Sequence, residues 1–240
     1  MELLGYLFCL KSKPLVNKVR MFNNYESGFA LNVWGSRNRM AKMTSRKVVR
    51  LFFTTLLVGG ISTIITGVLY GYKEYFGYLQ DLRFTKLLLE ASWLFILGLV
   101  FSAVSQMGFF AYLTVHRFGL GFFKSPQVWN VIQIGLIMFA LFDLAYFRLI
   151  EFAKDGDSYV GYILFPVILF VCSLIVAYIK SKETNKGAFI PALFFMIVVT
   201  IVEWIPALRQ DDLSWLILMA VPLFVCNTYQ LLTLHRILKS

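Results

Sequence analysis

LFFTTLLVGGISTIITGVLYGY, residues 51–72, carries no charge between Arg50 and Lys73. At about 1.5 Å of rise per residue, a helix of this length crosses a hydrocarbon layer of about 30 Å. Apolar and polar residues do not alternate along it, as they would in a barrel strand, so the stretch reads as a membrane helix. Similar runs follow, expected at about 88–115, 126–148, 158–179, 187–208 and 213–235, with this first one placed at about 49–72. Prolines at 166, 191, 206 and 222 fall inside them. Membrane helices tolerate proline where neighbouring groups satisfy the freed carbonyls.

The composition agrees. The chain has 240 residues, 59% of them hydrophobic and 15% charged. A soluble domain averages about 25% charged. A disordered chain and a soluble globular domain are therefore excluded, and the fold expected is all-α: a polytopic membrane protein built as a six-helix transmembrane bundle. The net charge of +10 is an orientation signal rather than a mark of nucleic-acid binding. With the N-terminus inside, seventeen Lys and Arg fall on inner segments and six on outer loops. Both termini are thus expected in the cytoplasm, and the surrounding partner is membrane lipid.

Residues 1–42 differ from the rest. They contribute half of the positive excess and mix Lys11, Lys13, Lys18, Arg20, Arg37, Arg39 and Lys42 with scattered aromatics. Leu3–Leu10 is too short to span, and no basic region precedes it as in a signal peptide. Two readings stand: an amphipathic membrane-surface segment, or an extension outside the native protein, with translation starting at Met43 before a short basic tail. The second is favoured, which divides the chain into an extension, 1–42, and a membrane domain, 43–240.

The loops are short and hold no phosphate-binding glycine loop or H-E-x-x-H. Cys9, Cys172 and Cys226 lie far apart, and only His116 and His235 could join them. No metal site, cofactor or catalytic residue is expected, and the chain is read as non-enzymatic. His116, at a helix end beside Arg117, is read as solvated.

Ionisable residues inside spans are functional candidates by default. Glu90, Asp143 and Glu203 qualify, and counting from the span ends places all three in the outer leaflet. They are either one polar cluster, with Arg148 or Arg209 reaching in, or separate interfacial acids. Gln106, Asn130, Gln133, Asn227 and Gln230 fall towards the inner half and are expected to join helices by hydrogen bonds. Gly59, Thr63, Gly67 and Gly71 recur every four residues on one helix face, as do Gly98 and Ser102 on the next span. Such a face serves internal packing or docks a membrane partner.

Residues 44–60, TSRKVVRLFFTTLLVGG, and 101–119, FSAVSQMGFFAYLTVHRFG, resemble the KinB-signalling-pathway activation family of spore-forming bacilli. The similarity runs from Met43 to near the C-terminus and omits residues 1–42. It implies a multi-pass protein of the bacterial plasma membrane that promotes sporulation. It also implies signal transduction upstream of, or together with, the sensor histidine kinase KinB, whose phosphate enters the sporulation phosphorelay. The competing reading is a small-solute or ion transporter that influences the kinase indirectly.

Overall fold

In hydrocarbon a backbone N–H finds no water, so a spanning segment must close its own hydrogen-bond ladder. In the computed structural model, six helical segments are long and apolar enough to do so. The structure describes residues 45–72, 77, 84–152, 160–209 and 212–239. The extension 1–42 and the expected start at Met43 lie outside the described residues. Val49–Lys239 form one compact unit. Of the other unit, only the first residues of the first helix are described.

Helix α1 covers Ser45–Tyr70, α2 Phe84–Phe123, α3 Pro126–Phe152 and α4 Val160–Glu183. The fifth span is broken into pieces. A 3-10 turn at Lys186–Ala188 leads into α5, Phe189–Phe194; a π-helical turn, Phe195–Val199, leads into α6, Thr200–Leu208. Helix α7, Leu213–Lys239, is the sixth span. The described residues are all-helical, and their six long apolar helices fit a multi-pass membrane protein.

Two boundaries differ from expectation. Helix α2 has 40 residues, or about 60 Å, well beyond the expected 88–115. Nothing stops it until Lys124, which takes the left-handed conformation (φ 51°) and is followed by Ser125-Pro126. A left-handed residue after the last turn, then a proline that disfavours helix before it, is a common way to end a helix. Helix α4 continues past residue 179 to Glu183, so it includes Lys180. The hydropathy run stops at the first charge, but the backbone ladder does not.

The fifth span sits at the core. Within the bundle 56% of its apolar stretch is buried, against 22% for α2 and α3. Phe195, Met196 and Ile197 are completely enclosed. Their neighbours include Phe109 and Tyr112 of α2, whose rings meet Phe195 at 5.5 and 4.9 Å. By contrast Leu69, Trp93, Phe118 and Phe142 point outward from the protein. In a bilayer such side chains meet lipid, where their exposure carries no hydrophobic penalty.

The small-residue face of α1 turns towards α2. A Cβ on Gly59 would stand 2.5 Å from Ser102 Cβ and 2.8 Å from the Gly98 carbonyl oxygen. One on Gly98 would stand 2.5 Å from the Gly59 carbonyl oxygen. Only two glycines allow backbones this near. Thr63 is fully buried and donates to the Gly59 carbonyl at 2.9 Å. Gly67 lies against Leu94, and Gly71 is half-buried, its N–H bonded to Gly67 O at 2.9 Å.

Candidate functional site

Thr200, Glu203, Trp204 and Ala207 follow the helical spacing of one buried face on α6. The π-turn just before them adds a residue to the helical register. Each added residue turns the downstream face by about 100°. The register it leaves directs Glu203 and Thr200 at α7. Trp204 on the same face donates its indole N–H to the Leu216 carbonyl at 3.1 Å, fixing α6 against α7.

The groups that meet there form a continuous polar seam. Asn227 donates its amide N–H groups to Glu203 Oε2 at 2.7 Å and to Thr200 Oγ1 at 3.0 Å. Its Oδ1 accepts from Ser105 Oγ at 2.7 Å. Ser105 in turn accepts from Gln230 Nε2 at 2.6 Å. These bonds assign the amide orientation of Asn227, since its oxygen accepts from a hydroxyl and its nitrogen faces acceptors. The seam therefore joins α2, the fifth span and α7.

A second branch ties α1 to α2. Ser102 Oγ donates to the Thr55 carbonyl at 2.8 Å, and Gln106 Nε2 donates to the Phe52 carbonyl at 3.2 Å and to Ser102 Oγ at 3.3 Å. Cys226 is fully buried beside the same Thr55 carbonyl. A buried polar atom without a partner is rare and points to strain or function. Among the described residues, Glu203 Oε1, Gln106 Oε1 and both amide atoms of Gln133 are in that state, as is Glu183 Oε2 apart from its approach to His235 Nε2 at 3.1 Å. Gly108 is what lets Glu203 fit, because a Cβ there would overlap Oε1.

Of the three acids singled out from sequence, only Glu203 belongs to this seam. Asp143 is exposed on α3, and Glu90 is half-buried, about 9 Å into α2 from its first residue. The first turn of α2 has no acid. Arg209 is exposed and Arg148 buried, and Glu203 takes the Asn227 amide as its partner. Counting residues from span ends sets Glu203 and Asn227 in opposite leaflets. Their 2.7 Å contact puts them at one level. Asn227, Gln230 and Gln106 do join helices through hydrogen bonds. Ser105 and Gly108 went unmarked in sequence. The usable signal was their spacing of three, which gives Asn227 and Glu203 a common facing stripe on α2.

A different polar group occupies one end of the bundle. Lys180 Nζ donates to the Leu231 carbonyl at 2.5 Å and lies 3.2 Å from His235 Nδ1. His235 Nε2 lies 3.1 Å from Glu183 Oε2, and Arg236 donates to Glu183 Oε1 at 2.7 Å. An ammonium can only donate, so Nδ1 accepts and Nε2 carries the proton that faces Glu183. The chain of contacts locks α4 to α7.

Residues 59–237 match the family described as KinB-signalling pathway activation in sporulation, KbaA. The KinB-signaling pathway activation protein of Bacillus subtilis (strain 168) is 44% identical over 194 residues. The aligned part covers 81% of this chain and 98% of that relative. No solved structure matches the chain. The match takes in every member of the seam, from Ser105 to Gln230, and the chain belongs to the KinB-signalling pathway activation family of sporulation proteins.

Proposed function

We propose that this chain is a non-enzymatic accessory of the plasma membrane that activates a KinB-type sensor histidine kinase and so feeds the sporulation phosphorelay. The observation that carries the proposal is 44% identity to a KinB-signaling pathway activation protein across nearly its whole length. The architecture supports it. The buried hydroxyls and amides of Ser105, Asn227 and Gln230 are used in holding helices together. Large outward apolar faces remain for lateral contact with another membrane protein.

In this reading the Lys180–Arg236 end and both termini lie in the cytoplasm, following the positive-inside bias. The membrane domain, 43–240, carries the activity. Expression of that segment in a Bacillus subtilis strain lacking the relative should restore timely sporulation, and the segment should co-purify with the kinase from gently solubilised membranes. Sporulation that stays delayed despite normal membrane levels of the segment would defeat the proposal.

One observation favours a second reading, a transporter acting on the kinase indirectly. Glu203 leaves one carboxylate oxygen without a partner inside the most buried span, beside a π-turn. Broken helices and buried acids are features of transport sites. That reading requires solute flux in proteoliposomes which Glu203→Gln abolishes. Full signalling by Glu203→Gln would remove it.

A further inference from the structure

A cavity of about 320 Å³ opens between α2, the start of the fifth span and α7, at the Lys180 end of the bundle. That volume is at the lower limit of small-ligand sites. Phe109, Leu113, Ala192, Leu231 and Leu234 give it a mainly apolar wall. Lys180 and His116 also line it. The described lining residues include no carboxylate.

Asn185 and Tyr112 are its other polar lining residues, and Lys180 and His116 are held as donors. An ammonium has three N–H groups. Lys180 directs two of them at Leu231 O and His235 Nδ1, and one remains. His116 Nδ1 accepts from the Trp129 indole N–H at 3.1 Å. The neutral ring therefore carries its proton on Nε2 and has a second donor to offer. Tyr112 gives its hydroxyl proton to the Pro191 carbonyl at 3.0 Å, which keeps the ring in place on the wall.

The surrounding charges leave a net positive balance around Lys180. Glu183 faces away to Arg236 at 2.7 Å, with His235 at 3.1 Å. One carboxylate, Glu183, thus stands among two basic side chains, Arg236 and Lys180. Lys180 is itself only 8% exposed. A lysine ammonium at a helix end normally reaches out to water. Here it is retained against an apolar chamber, with spare donors and a positive balance.

We propose that this cavity binds an anionic amphiphile, its phosphate or carboxylate on Lys180 and His116 and its alkyl part along the apolar wall. The chemistry is independent of the kinase. The anion is shared by a lipid headgroup and a free ion, but the wall of Phe109, Leu113 and Leu234 offers a free ion nothing. The lipid is therefore the occupant.

The test is native mass spectrometry of the full chain in neutral detergent, titrated with phosphatidylglycerol, with phosphatidylcholine of the same acyl chains, or with inorganic phosphate. Phosphatidylglycerol should bind about fivefold or more tightly than phosphatidylcholine, the scale of one charged contact near a membrane surface. Lys180→Met should abolish this preference, while Lys180→Arg should keep it. Leu113→Trp narrows the chamber without touching either donor, and should weaken phosphatidylglycerol alone. It keeps the test available if Lys180→Met fails to fold. Equal affinity for the two lipids, a preference that survives Lys180→Met or Leu113→Trp, or phosphate binding as tightly as phosphatidylglycerol would each overturn the proposal.

Discussion

The seam around Glu203 and the network around Glu183 each set one carboxylate among donors, but with different chemistry. Glu203 meets an amide, and the chain of bonds continues through a serine to a glutamine, all buried. Glu183 meets Arg236 and His235 and is a quarter exposed. The reason is the local dielectric. Bringing a full guanidinium into the bundle costs more than an amide, and water at the helix ends screens the ionic pair. The inner group should thus behave as short-range glue insensitive to salt, and the outer group as a screened, adjustable clamp.

The largest effect comes from breaking the inner group. Asn227→Leu keeps the approximate volume but removes the partners of Glu203, Thr200 and Ser105 together. The loss should be about 2–3 kcal/mol, because a buried acceptor left bare is dearer than a bond lost in lipid. Equilibrium unfolding in mixed micelles measures it. A loss below about 0.5 kcal/mol, the size of an average single bond in a bundle, would show that the seam does not hold the helices.

Gly108→Ala tests the same place from the other side. The new methyl would overlap Glu203 Oε1. Overpacking of this kind costs about 1–3 kcal/mol. Because the obstacle is the carboxylate, Gly108→Ala combined with Glu203→Ala should cost less than the two single changes summed, by about 1 kcal/mol. Strict additivity would mean that Gly108 does not serve to admit Glu203.

These two positions also show where sequence reasoning reached its limit. Six apolar runs bounded by Arg50, Lys73, Arg117 and Lys124 made the helices legible, since the hydrocarbon layer fixes their length. The seam was only half legible. Asn227 and Gln230 stand out as amides in an apolar run, and Glu203 as an acid. Their meeting depends on the π-turn at Phe195–Val199, which leaves no mark in hydropathy. Gly108 is one glycine among 16 until Glu203 is seen against it. The outer network was hidden for another reason. Ending the fourth span at residue 179 turned Lys180 into a loop charge, whereas the helix carries it on to face Leu231 and His235.

Breaking the outer group should have a smaller, salt-dependent effect. Glu183→Gln removes the partner of Arg236 and His235. At low salt the variant should unfold earlier than the parent, and raising salt to about 0.5 M should close most of the gap by screening. Asn227→Leu should show no such convergence. If both variants respond to salt alike, the division between an inner and an outer chemistry fails.

A third carboxylate sharpens the contrast at the exposed extreme. Asp212 stands just before α7 and accepts from the Ser214 N–H at 2.8 Å and the Trp215 N–H at 3.4 Å. This is the N-cap arrangement, which satisfies donors that the first turn cannot bond internally. The hydrogen bonds from Ser214 hold the carboxyl of Asp212 below the usual carboxylate range. A folded-state value below the unfolded one means that stability is gained when the group ionises. The contribution is therefore complete above the unfolded value, about pH 4, and is lost as pH falls through the folded value. Asp212→Asn keeps a cap acceptor but cannot titrate. The parent should lose its advantage over this variant on acidification below about pH 4, and the two should run parallel at neutral pH. Parallel curves at every pH would show that the exposed cap works by geometry alone, as the amide of Asn227 does in the seam.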